Sequence, residues 1–143
     1  MTRTAVVAAP ALILCCMDYR YIQAIQRFVQ RRFKVARYGV IANAGGSLAI
    51  LEGPKPVQAW IVRNLTLAYE RQHVRRVFVF HHQDCLLYGG SAAFASPSKE
   101  AAAHLRDLRR ATAKLTQRFS ALRISAFYAH HTPRGIQFTA AHA

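Results

Sequence analysis

Acidic residues are scarce in this chain. Six Asp and Glu stand against twenty Lys and Arg among 143 residues, for a formal net charge of +14. Such a field draws anions, small anionic substrates among them, and favours loose contact with nucleic acid. Contact of that kind weakens steeply with salt and carries no sequence preference, so no specific nucleic-acid partner is expected. Cysteine is rarer still, with three residues. An odd number in a short chain argues against a closed disulfide framework. Free or metal-bound thiols suit a reducing compartment, and a cytoplasmic location is expected. Long hydrophobic runs are also missing. The apolar stretch from Thr4 to Met17 is broken by Pro10, and nothing reaches the roughly 20 apolar residues of a membrane span. A secretory leader is disfavoured too, because the stretch flows directly into Cys16-Met17-Asp18-Tyr19-Arg20. Neither internal repeats nor a separate linker is visible.

What remains is a globular composition. Hydrophobic residues make up 52% of the chain and charged residues 18%, a balance that folds rather than stays disordered. A single domain over residues 1–143 is expected. A chain of this size buries roughly two-thirds of its unfolded surface.

Ala11–Cys16 reads as a buried strand, short and continuously apolar, as parallel strands are. Tyr21–Phe33 has helical spacing, with Ile22, Ile25, Phe28 and Val29 on one face and arginines opposite. Val35–Ala42 predicts a second strand, broken by Asn43-Ala44-Gly45-Gly46. Glu52–Pro56 predicts a loop, and Pro56 a helix start running to about Gln72. Val74–His81 predicts the third strand. Ser98 is placed as the cap of a helix from Lys99 to about Phe119, and Leu122–Tyr128 as the fourth strand. Strands alternating with helices predict an α/β fold. Its mostly parallel sheet of four to five strands is flanked by helices, with right-handed crossovers.

In such sheets ligands sit beyond the carboxyl ends of the strands. Cys16–Arg20, Asn43–Gly46 and His82–Cys85 each directly follow a predicted strand, so they belong on one edge. His82 and Cys85 are three apart on a turn and can chelate one ion; Cys16 supplies a third soft ligand. Zinc prefers N and S donors in tetrahedral geometry, and three protein ligands leave a fourth position for water or substrate. Asp18 and Arg20 flank Tyr19, so their side chains can meet across a turn, where Arg fixes a carboxylate bidentately. Gly45 and Gly46 permit close backbone approach and positive φ. Cys15 faces the opposite side of its strand, and His81 points away from His82. Both are expected in the core. His130 and His131 fall on the metal edge, where relaying protons competes with plain exposure. Asp84 either orients a ligand or accepts backbone hydrogen bonds in its turn.

Cys16-x-Asp18-x-Arg20, Asn43-Ala44-Gly45-Gly46 and His82-x-x-Cys85, in that order and spacing, resemble the β-class carbonic anhydrases. The resemblance runs from Leu12 to Tyr128. It implies zinc held by Cys16, His82 and Cys85, an Asp18–Arg20 dyad beside it, and a pocket wall at Gly45 and Gly46. It also implies reversible hydration of carbon dioxide to bicarbonate by a metal-bound hydroxide, in a homodimer or higher homo-oligomer with the cleft at the subunit interface. The chain departs from the family pattern at Ala42, where Arg is usual, and at Leu86, where Gly is usual; here the Gly pair is delayed to Gly89 and Gly90. These departures keep two alternatives in view. One is a zinc protein with little hydratase activity and a structural or binding role; the other is a hydrolase of carbonyl sulfide or carbon disulfide.

Overall fold

A computed structural model describes residues 11–142. The apolar start before Ala11 lies outside the described residues. Five strands form one sheet in the order β2-β1-β3-β4-β5: β1 Leu12–Cys16, β2 Gly39–Asn43, β3 Arg76–His82, β4 Arg123–Thr132 and β5 Gly135–Ala140. The first four run parallel and β5 returns antiparallel to β4. The helices are α1 Tyr19–Phe33, α2 Leu48–Glu52, α3 Lys55–Arg71 and α4 Pro97–Arg118. The expected α/β fold is present, with its mostly parallel sheet flanked by helices.

Period-two alternation sorts the core into two layers. Leu12 and Leu14 of β1 join Val77 and Val79 of β3 on one face, under Ile61 and Leu65 of α3 and Leu108 and Leu115 of α4. Ile13 and Cys15 join Phe78 and Phe80 on the other, under Tyr21, Ile25 and Val29 of α1. Burial of both faces is why β1 and β3 read as unbroken apolar runs.

Several elements differ from the sequence reading. β2 begins at Gly39 and not Val35 and takes in Asn43, β4 runs on to Thr132, and β5 had no counterpart in the sequence reading. The α4 cap is Ser96, whose Oγ accepts the Lys99 N–H at 3.2 Å, and Ser98 lies inside the helix. Pro97 has a φ preset for the first helical position, which makes the residue before it the cap. Leu48–Glu52 also forms the short helix α2, its Leu48 and Ile50 buried, where the sequence reading placed no element between the Asn43–Gly46 break and the loop from Glu52.

Topology creates the site. The chain leaves β1 toward β2, then crosses back over β1 to β3, so the connections diverge between β1 and β3, where such sheets open a crevice. Pairing between β1 and β3 stops at Leu14–Val79, whereas β1 stays paired with β2 through Cys16–Asn43 and β3 with β4 through His82–Ala129. Cys16 and His82 therefore stand at the lip of an opening. Gly46 closes its floor. It has φ 54°, and a Cβ there would stand 3.1 Å from the Phe80 carbonyl oxygen and 3.2 Å from the Cys16 nitrogen. Gly46→Ala is therefore expected to destabilise the fold by about 2 kcal/mol, from left-handed strain plus tight contact with backbone atoms. Denaturant unfolding of the two proteins measures this.

Candidate metal centre

Cys16 Sγ, Cys85 Sγ and a ring nitrogen of His82 all lie within 4.8 Å of one another, and all three residues are buried. The His82 ring is fixed from two sides. Its Nδ1–H donates to the Gln83 carbonyl at 2.7 Å, and Tyr21 of α1 stacks on it at 4.4 Å. That tautomer leaves Nε2 with a lone pair, and Nε2 is buried with no hydrogen-bond partner. An orphaned buried acceptor is costly unless something fills the need. A cation between the imidazole and the two sulfurs would fill it, and an N/S donor set suits zinc.

The sulfurs are prepared to carry charge. The Gly45 N–H donates to Cys16 Sγ at 3.4 Å. The Cys16 thiol is lowered, chiefly because Cys85 hydrogen-bonds to it. The Cys85 thiol is raised in return, first by that same bond and then by burial. The hydrogen bond thus favours a thiolate at Cys16 over one at Cys85, and a bound cation would favour thiolate at both. Burial pushes the His82 pKa down, but Cys16 and the Gln83 carbonyl together raise it overall.

Asp18 faces this group, its Oδ2 standing 3.9 Å from His82 Nε2. It caps α1 by accepting the Arg20 N–H at 2.9 Å. The Arg20 side chain returns to the same carboxylate through Nε at 3.0 Å and Nη2 at 2.7 Å. Those hydrogen bonds hold the Asp18 carboxyl down to about 2, against a smaller opposing effect of burial. Arg20 also reaches the loop after β3, where Nη1 donates to Asp84 Oδ2 and Nη2 to the Asp84 carbonyl, both at 3.0 Å.

The other polar and aromatic side chains near this edge are spread over both faces and the rim. Cys15 is in the core, its thiol pushed up to about 12 by burial. His81 points to the α4 face and meets Ser47 Oγ at 2.6 Å and His104 Nδ1 at 3.2 Å. Burial, then His104, holds its pKa down to about 3. His131 leans on Tyr21, and its N–H donates to Gln83 Oε1. His130 stacks on Tyr128 and meets Thr139 Oγ1 on β5. Tyr88 is tied to the buried Asp107 at 2.8 Å. Tyr19 points into solvent, 86% exposed.

Sequence reasoning missed two buried acids, Glu100 and Asp107. Asp107 lies on the arginine-bearing side of α4 and pairs with Arg106 and Arg110. Glu100 sits in the first turn of α4, where an acid ordinarily just complements the helix dipole. Nothing in the sequence separates it from that role.

Two solved structures have the same fold. One is a carbonic anhydrase from Glaciozyma antarctica, with TM-score 0.55, 19% identity and coverage of 94% of this chain and 85% of that one. The other is β-carbonic anhydrase isoform I from Trichomonas vaginalis, with TM-score 0.59, 15% identity and coverage of 99% and 87%. No curated protein matches the sequence. A family model described as "Putative carbonic anhydrase" matches residues 8–138. With nearly its whole length matched, and with Cys16, His82 and Cys85 converging at the switch point of the sheet, the chain belongs to this carbonic anhydrase family.

Proposed function

We propose that the protein is a zinc enzyme that reversibly hydrates carbon dioxide to bicarbonate, with Cys16, His82 and Cys85 as the metal ligands. The observation that carries this reading is the Asp18 carboxylate, fixed by Arg20 and facing a buried, unpartnered Nε2 beside two thiols. Zinc, when bound, acidifies water and so supplies a nucleophile that water alone does not. The chain's own residues do the rest. Arg20 occupies both Asp18 oxygens on one side, which leaves the carboxylate able to accept a proton-bearing group on the other. Gly45 steadies the Cys16 sulfur, and Gly46 lets the Asn43–Ser47 turn lie flat on the strand ends. Metal analysis combined with a carbon dioxide hydration assay on the same sample tests the reading.

A homodimer belongs to the same proposal. Apolar side chains next to the ligands in sequence face outward. Met17 is 61% exposed, Leu86 83% and Leu87 54%. A second copy of the chain would cover them and enclose the cleft. Light scattering at micromolar concentration is expected to give at least a dimer, and Leu86→Asp to shift it toward monomer; a monodisperse wild-type monomer would contradict this. A cytoplasmic site suits the three free thiols. Among the described residues, no helix is long and apolar enough to cross a membrane.

Leu86 also favours a second reading. Where the family usually has Gly, this chain presents a large exposed side chain directly after a ligand. That fits a zinc protein with a binding role and little hydratase activity, or a pocket admitting carbonyl sulfide or carbon disulfide. Parallel assays on the three substrates separate these.

A further inference from the structure

Asp84 lies between the ligands His82 and Cys85 with φ 61°, a left-handed conformation that needs outside support in a residue with a side chain. Glu100 supplies it from α4. The Asp84 N–H donates to Glu100 Oε2 at 2.8 Å. The Ser91 N–H donates to Asp84 Oδ1 at 2.8 Å, and the Ser91 hydroxyl donates to Glu100 Oε1 at 2.9 Å. Gly90 lets this loop close, since a Cβ there would stand 2.9 Å from Asp84 Oδ1. The delayed glycine thus has a structural use here.

Asp84 in turn holds the outer edge of Arg20 through its carboxylate and its carbonyl. The guanidinium is clamped between Asp18 and Asp84. Glu100 itself is 1% exposed. A buried acid persists only where its hydrogen bonds are made, and these all lead to the loop that holds Arg20.

We propose that Glu100 is a positioning residue for the Asp18–Arg20 pair, acting through Ser91 and Asp84 on the guanidinium that orients Asp18. The proposal rests on reading the Cys16–His82–Cys85 group as a hydration centre. Glu100 touches none of the donor atoms; it sets the far anchor of Arg20.

The test compares Glu100→Ala with Glu100→Gln, which keeps an oxygen for the Asp84 N–H. The first readout is the Arg20 Nε–H signal in ¹⁵N NMR of metal-free protein, assigned by its loss in Arg20→Lys. Glu100→Ala is expected to speed exchange of that proton at least tenfold, and Glu100→Gln to keep it within about threefold of wild type. The second readout is hydration by zinc-loaded protein. Glu100→Ala should lower kcat about tenfold or more, with KM within twofold and zinc content unchanged, and Glu100→Gln should restore most of the rate. If Glu100→Ala does not fold, Ser91→Ala takes its place, with an expected exchange increase of about threefold. An Arg20 signal as slow as wild type in a folded Ala variant overturns the proposal, and so does a rate loss that Gln fails to rescue. A wild type without hydratase activity, whose Arg20 signal still responds to Glu100→Ala, overturns the hydration reading and leaves the clamp standing.

Discussion

Replacement of His82 by Ala is expected to remove nearly all bound zinc and to reduce carbon dioxide hydration to the uncatalysed background. His82 is the only nitrogen in the group; without it two thiols remain and the tetrahedral N/S set is broken. Loss of an outer-shell partner of a ligand weakens metal binding by roughly 10–100-fold, and loss of the ligand itself exceeds that. The variant also forfeits the stack on Tyr21, so some destabilisation accompanies it, on the order of 2 kcal/mol. Cys16→Ser separates the two effects. It nearly preserves volume in the core, replaces a soft ligand by a hard one, and is expected to lose zinc with little change in the metal-free unfolding midpoint. Metal content by atomic spectroscopy decides the matter; full occupancy in both variants would remove the ligand assignment.

Asp18→Asn is expected to lower the alkaline hydration rate by about 100-fold or more, the scale of a lost proton acceptor, while zinc remains bound. Asn is as good a helix cap as Asp, so the start of α1 survives and the change isolates the charge. The pH dependence has two sources. Arg20 holds the Asp18 carboxyl down to about 2, so it is ionised from mildly acidic to alkaline pH. The stability this ion pair contributes is present above the usual carboxylate range and is lost only as pH falls toward 2. The rate profile therefore does not report Asp18. On the proposed reading it would report the metal, whose double charge two thiolates would cancel, the imidazole being neutral. Such a site acidifies water less than a three-imidazole site, which brings it to about 7. Wild type is expected to be slow near neutrality and to accelerate toward alkaline pH. A flat profile, or a variant as fast as wild type throughout, would reduce Asp18 to an ion-pair partner of Arg20.

The fold and the convergence of Cys16, His82 and Cys85 were legible because both follow from the pattern of strands. β1 and β3 are buried on both faces and so are continuously apolar, and the strand ends then place Cys16, His82 and Cys85 on one edge by topology alone. The antiparallel return of β5 was less legible. Only alternate residues of Gly135–Ala140 are partly buried, and Pro133 with Gly135 suggests a turn without specifying a strand after it. The clamp behind Arg20 was not legible. Glu100, Ser91 and Asp84 meet only because α4 packs on the sheet, and a helix-start acid has no sequence mark that distinguishes a surface role from a buried one. His81 was legible as a core residue from strand parity, but not its partners Ser47 and His104, which come from distant elements.

The most direct measurement is stopped-flow carbon dioxide hydration, monitored by proton release, on protein with its zinc content verified, from mildly acidic to alkaline pH. The expected result is a zinc-dependent rate well above buffer that rises above neutral pH and is lost together with zinc in Cys16→Ser. A fully zinc-loaded wild type that hydrates carbon dioxide no faster than buffer at any pH would contradict it.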